Sequence, residues 1–210
     1  MHIPKTIFSW TVVVQVTIII VLYGSIGWNY LYGTDSVSMP GDNEDFLSLE
    51  NPPDLSELRE PIIVVDKSDQ ILQIHDQGRV VAQFPASTGA NEGDKEIEGD
   101  QRTPEGKFYV CMKNPKSRYT LSLGLSYPNI EDAGRGLADG LITRSNYRKI
   151  MTAIRNRKQP PWKTSLGGEI MIHGCRNGGR KTLGCIALED DVIRTIYPLI
   201  ETGTTVIIRR

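Results

Sequence analysis

The chain has 210 residues, 39% of them hydrophobic, enough for one core of ordinary size once a tail is set aside. Lys and Arg number 24 against 25 Asp and Glu, so there is no dominant basic field and nothing points to nucleic acid. Three cysteines, Cys111, Cys175 and Cys185, are too few and odd in number for a disulfide scaffold, so at least one is a free thiol.

In chain order, the first expected element is a membrane segment. Ile7 to Leu22 is almost entirely apolar, and with Tyr23 to Tyr32 it is long enough to span a hydrocarbon core. His2 and Lys5 precede it, while Asp35, Asp42, Glu44 and Asp45 follow it. That asymmetry predicts residues 1–6 in the cytoplasm, 7–32 as a single-pass signal-anchor in the inner membrane, and the bulk in the periplasm or otherwise outside the cytoplasm. Trp10, Trp28, Tyr30 and Tyr32 fall where interfacial aromatics belong. The alternative is a cleaved signal peptide, with a weak site at Gly24-Ser25-Ile26-Gly27. Either way the rest is exported. Residues 33–60 are rich in Asp, Glu, Ser, Pro and Asn and read as a linker.

From residue 61 onward the pattern is that of a folded domain ending at 210. Ile62–Val65, Ile71–Ile74 and Val80–Phe84 are short β-prone runs separated by the turn strings Asp66-Lys67-Ser68-Asp69 and Asp76-Gln77-Gly78. Phe108–Met112, Thr120–Leu123, Ile170–Ile172, Cys185–Leu188 and Val206–Ile208 add strands. Helices are expected from about Ser145 to Arg157, with Ile150, Met151 and Ile154 inward, and after Asp190 as a cap, carrying Val192, Ile193 and Ile196. The class is mainly β with a few helices (α+β).

His75 is read as a solvated turn residue, and Cys111 as part of the core. Asp94, Glu96, Glu98 and Asp100 are dense in charge but lack the spacing of a metal loop. The cations Arg144, Arg148, Lys149, Arg155, Arg157 and Lys158 decorate the first helix. A solvated face is the usual meaning; the other is a surface that meets anionic cell-wall polymer or lipid headgroups.

The chemistry concentrates at the end of the chain. Ile172-His173-Gly174 and Thr182-Leu183-Gly184-Cys185 place a base and a thiol 12 residues apart, each beside a glycine and flanked by β-prone residues. A thiol needs a base, because the thiolate is the reactive form. A lone strand cysteine is more often a small buried hydrophobe, and only the pairing raises the functional reading. With His2 in the tail and His75 at a turn, His173 is the only remaining histidine; the Cys/His spacing of a zinc site is absent and no metal site is expected. Cys175 stays ambiguous: a neighbour in the site, a redox-sensitive thiol, or a disulfide partner of Cys185.

His173-Gly174 followed by Thr182-Leu183-Gly184-Cys185 resembles the signature of the YkuD-like L,D-transpeptidase catalytic domain family. Upstream, Thr88-Gly89-Ala90 and Gly99 through Thr103-Pro104-Glu105-Gly106 resemble its TG…TPEG segment, Ser126-Tyr127-Pro128-Asn129 resembles an SYPN element of one subgroup, and Gly203 to Ile208 resembles its closing strand. The resemblance covers about residues 61–209. It implies a β-sandwich or open barrel and a cysteine acyltransferase acting on peptidoglycan stem peptides, hence on wall organisation and cell shape. Cys185 is then the nucleophile, His173 its base, and the Gly174 carbonyl the group that orients the imidazole. Gly184 and Cys185 N–H groups would hold the oxyanion, with Thr182 and Leu183 supporting the loop. The resemblance implies no cofactor, and it implies that carbapenems acylate Cys185. Many relatives carry Arg two residues after the cysteine, where this chain has Ala187; Arg176 or Arg180 are the expected substitutes in substrate binding. That departure keeps open an L,D-carboxypeptidase or amidase-type hydrolase. A non-catalytic wall-binding module is the third reading.

Overall fold

The structure, a computed structural model, describes Leu55, residues 58–175 and residues 181–210. The expected membrane segment at 7–32, most of the 33–60 linker, and Arg176 and Arg180 lie outside the described residues. Among the described residues no helix is long and apolar enough to cross a membrane.

Eight strands form one continuous sheet. They are β1 (Ile62–Asp66), β2 (Ile71–Asp76), β3 (Arg79–Pro85), β4 (Gly106–Ser117), β5 (Thr120–Leu125), β6 (Met171–Gly174), β7 (Ile186–Leu188) and β8 (Thr205–Arg209). Their spatial order is β3-β2-β1-β8-β4-β5-β6-β7. The first three form the meander expected from the turn strings. The last strand inserts parallel to β1, with Ile63 opposite Val206, and antiparallel to β4. β4 serves both halves of the sheet: Gly106–Tyr109 pairs with β8, and Val110 onward pairs with β5. The register shifts between Val110 and Met112, and such a bulge bends a strand and re-aims the sheet beyond it. The two edges then meet. Ser87, just past β3, exchanges two backbone hydrogen bonds of 2.8 Å with Ala187 of β7, so the sheet curls into an open barrel.

The interior is filled by the inward residues of these strands, among them Ile63, Val65, Leu72, Phe108, Leu123, Leu125, Ile172, Ile186 and Val206. Helix α3 (Asp190–Ile196) closes one end with Val192, Ile193 and Ile196. Asp190 begins this helix and does not cap it; the N-cap is Glu189, which makes no side-chain cap bond.

Two further helices fill the long connection between β5 and β6. α2 (Arg144–Arg155) starts on Thr143, whose hydroxyl accepts the Asn146 N–H at 3.2 Å. α1 (Ile130–Ala138) was not expected from sequence, because Gly134 and Gly136 lower helix propensity in so short a span. It forms nonetheless on a reciprocal capping box between Asn129 and Asp132. Gly136 admits Leu166, since a Cβ there would lie 2.6 Å from Leu166 Cδ2. Arg135 pairs within α1 with Asp132 at 2.8 Å and ties the helix to Asp94 at 3.1 Å. Ala133, Ile142, Ile150 and Leu166 make a small second core.

Two side-chain expectations need correcting. His75 lies inside β2, buried, with Nε2 3.0 Å from Gln73 Oε1, because the strand runs on to Asp76. Cys111 is only half-buried, at the bulge of β4, although burial still pushes its thiol up to about 12.

Candidate active site

The sheet brings the two motif segments together by register. In the parallel β6–β7 pair, His173 lies opposite Ala187 and Ile172 opposite Ile186. Cross-strand partners share a face and residues two apart share a face, so Cys185, two before Ala187, continues the face that carries His173. Strand spacing and rise put the two Cα atoms about 8 Å apart. On the other side of β6, Ser122 pairs with His173 and Gly124 with Met171. The floor of this face is therefore small: Ser87, Ser122, Gly124 and Ala187. Trp162 and Met112 occupy the space over Gly124, where a Cβ would meet Met112 Cγ at 2.5 Å and Trp162 Cη2 at 3.1 Å.

His173 is buried, and its Nδ1 lies 2.7 Å from the Gly174 carbonyl oxygen. A carbonyl only accepts, so Nδ1 carries the proton and donates, which leaves Nε2 as the basic nitrogen. The ring is clamped from one side by Tyr119, stacked at 4.5 Å between centroids and 22° between planes. Tyr119 sits at the β4–β5 turn, its carbonyl accepting the Gly174 N–H at 3.1 Å, and the Arg118 guanidinium lies over the Tyr119 ring at 4.7 Å. No sequence pattern flagged Tyr119, because its role depends on which strand lies next to the hairpin.

Cys185 is half-buried; its thiol donates to the Glu169 carbonyl at 3.6 Å. Burial pushes the thiol up, against the opposing help of the Met171 backbone. Burial likewise pulls the imidazole of His173 down; the Gly174 bond works against this and the Arg118 charge adds to it. Both shifts favour a neutral thiol beside a neutral imidazole at rest, over a thiolate–imidazolium pair.

The loop before Cys185 is held by a segment some 80 residues away in sequence. Thr103 Oγ1 accepts the Gly89 N–H at 2.8 Å and donates to the Gly184 carbonyl at 3.0 Å. Ala90 N–H donates to Thr182 O at 3.0 Å, and Thr182 N–H to Thr88 O at 2.9 Å. Gly184 takes φ +126°, and a Cβ there would lie 2.8 Å from Arg102 O, so the position excludes other residues. Thr182 Oγ1 donates to the Cys185 carbonyl at 2.6 Å and accepts the Gly184 N–H at 3.1 Å. That last bond corrects an expectation: the Gly184 N–H is engaged inside the loop, which leaves Cys185 N–H as the other donor of the pair. Leu183 is 78% exposed and touches no core.

Asp190 is a residue the motif reading missed. Its Oδ1 is buried beside Gly174, where a Cβ would lie 2.5 Å from it, and has no hydrogen-bond partner among the described residues. The acidic loop is accounted for by ion pairs: Lys95 to Asp100 at 2.7 Å and Arg135 to Asp94. Among the described residues no three His, Cys, Asp or Glu side chains converge as metal ligands would.

The fold with these features has known counterparts. The helical cell shape determining protein Pgp2 from Campylobacter jejuni superposes with a TM-score of 0.52 at 25% identity, over 72% of this chain and 48% of that one. An L,D-transpeptidase from Xylanimonas cellulosilytica matches with a TM-score of 0.43 at 20% identity, over 76% of this chain and 64% of that one. The chain thus spans about half the length of the Campylobacter structure. None of the curated proteins matches the chain in sequence. Residues 60–208 match the YkuD family, and the chain belongs to these L,D-transpeptidase catalytic domains.

Proposed function

We propose that the protein is a peptidoglycan L,D-transpeptidase in which Cys185 is the nucleophile and His173 its general base. The observation that carries this reading is the β6–β7 register, which sets a carbonyl-oriented imidazole on β6 and the thiol immediately before β7. His173 Nε2 removes the thiol proton as sulfur attacks the carbonyl carbon of an L,D peptide bond in a stem peptide. The C–N bond breaks, and the proton passes from the imidazole to the departing D-amino acid. The acyl group remains on Cys185 as a thioester. An amine of a neighbouring stem then gives a proton to His173, attacks the thioester and releases the thiol. The Cys185 N–H stabilises the tetrahedral oxyanion at both stages. Tyr119 holds the imidazole plane, and the small side chains of Ser122 and Ala187 leave room for the acyl chain.

Residues 7–32 anchor the chain in the inner membrane, and residues 33–60 let the domain at 61–210 reach the wall outside the cytoplasm. A role in cell shape follows from the same chemistry and from the likeness to the Campylobacter protein. Carbapenems, strained acyl donors, acylate the same thiol.

A second reading has one observation in its favour. Ala187 is buried on the floor of the site and brings no cation beside the thioester, so water can replace the amine and the product is then a shortened stem. The test is incubation with purified disaccharide-tetrapeptide, products read by mass spectrometry, with Cys185→Ala as control. A dimer lacking one terminal D-amino acid establishes transfer, and a shortened monomer establishes hydrolysis. Turnover that survives in Cys185→Ala removes the nucleophile assignment, provided the variant melts close to the parent.

A further inference from the structure

Charge is segregated along this chain. From 140 to 168 there is no Asp or Glu, yet seven cations: Arg144, Arg148, Lys149, Arg155, Arg157, Lys158 and Lys163. All seven are exposed, and none makes an ion pair among the described residues. Arg157 alone is tied down, donating to the Gly203 carbonyl and lying over the Tyr109 ring. A merely solvated helix face usually interleaves both signs, so seven unpaired like charges carry a repulsion that the fold itself does not relieve.

These cations border a hollow. A groove of about 650 Å³ runs along α2, lined by Arg148, Lys149 and Lys158 together with Thr152, Asn156 and Gln159, over a floor that includes Pro160 and Pro161. The depression is shallow and open to solvent, and its lining combines cations with neutral hydrogen-bonding groups. The next residue, Trp162, packs over Gly124, which pairs with Met171, two residues before His173. The chain segment that lines the groove therefore runs directly into a residue packed on the strand beside β6.

We propose that this groove docks a carboxylate-bearing stretch of the peptidoglycan polymer outside the stem being cut; the inference rests on the transpeptidase reading above. Charge complementarity selects the occupant: stem peptides present free carboxylates at short intervals, and the groove presents guanidinium and ammonium donors with no competing acid. A membrane surface fits less well. Large exposed apolar residues among the described ones are Val80, Ile97, Tyr119 and Leu183, none of them on α2, and a helix lying in a lipid interface needs such an apolar face.

The experiment uses the detergent-solubilised full chain and purified sacculi, native or with their carboxyls amidated, in co-sedimentation at low and high salt. Wild type is expected to bind native sacculi in preference to amidated ones, and binding should weaken with salt. The charge-reversed pair Arg148→Glu with Lys149→Glu should lower binding to native sacculi about tenfold and abolish the preference. Arg148→Gln with Lys149→Gln, gentler on the helix, should give an intermediate loss, and the amidated sacculi test the idea without any substitution. Equal binding of wild type to native and amidated sacculi overturns the proposal. So does a charge-reversed pair that keeps its sacculus binding and instead loses a preference for phosphatidylglycerol over phosphatidylcholine vesicles, which assigns the groove to lipid. The two readings fail separately: charge-dependent binding without any Cys185-dependent product sinks the reaction and keeps the groove, whereas product without charge-dependent binding sinks the groove alone.

Discussion

The strand-built barrel and the helical connection between β5 and β6 solve the same problem at different scales. Among the described residues the core of the barrel and its closing helix buries 23 residues from stretches distant in sequence, whereas α1 and α2 share a cluster of only four, all between Ala133 and Leu166. The barrel holds the thiol and imidazole, where a small displacement ruins the chemistry. The helical region carries charge, where orientation matters less. The larger core lies where geometry is needed, and the smaller one supports a surface.

Three substitutions bear on that division, the largest effect first. His173→Ala should lower turnover by about 10²–10⁴-fold while leaving the barrel intact. The same variant should lose reactivity toward iodoacetamide near neutral pH; an unchanged alkylation rate would remove His173 as the activating base. The pH profile of wild type sharpens the point. Because burial holds the thiol above its usual range and the imidazole below its own, the pair rests neutral, and alkylation should keep climbing from about pH 6 to about pH 9 as thiolate accumulates. A plateau already reached at the acid end would mean a preformed ion pair.

Gly184→Ala comes next. With φ +126° and Arg102 O in the way of a Cβ, it should cost about 1–3 kcal/mol and shift the Thr182–Cys185 loop. The loss in turnover should exceed what the fall in melting temperature accounts for; a variant as active as the parent would show that the loop tolerates displacement.

Ile150→Ala tests the other region. Ile150 is fully buried in the small cluster, so truncation should cost about 2–5 kcal/mol locally. If the two regions are energetically separable, faster amide exchange will stay within residues 127–168 and the alkylation rate of Cys185 will hold. Exchange that spreads into β5 and β8 would make the two regions one cooperative unit.

Much of the barrel was legible in the sequence. The turn strings at 66–69 and 76–78 delimit β1 to β3 as expected, because β-prone runs and turn residues are local signals. The pairing of β8 with β1 was not, since nothing local says which distant strand lies beside which. His75 was misjudged for a related reason: two more residues of strand turned a solvated position into a buried one. Helix α1 escaped because its glycines argue against a helix and only Leu166, Asp94 and the Asn129 cap argue for it.

The sequence by itself determined which residues are chemically unusual: a histidine and a cysteine each beside glycine, a run of cations without acids, and the motif segments that mark the family. Tertiary structure alone decided how they act. It set Tyr119 on the imidazole, tied Thr103 to the loop before Cys185, engaged the Gly184 N–H, and laid a groove along the cations. Each of these joins residues through strand register or helix packing, and such contacts form only when separate stretches of chain bury their apolar faces against one another.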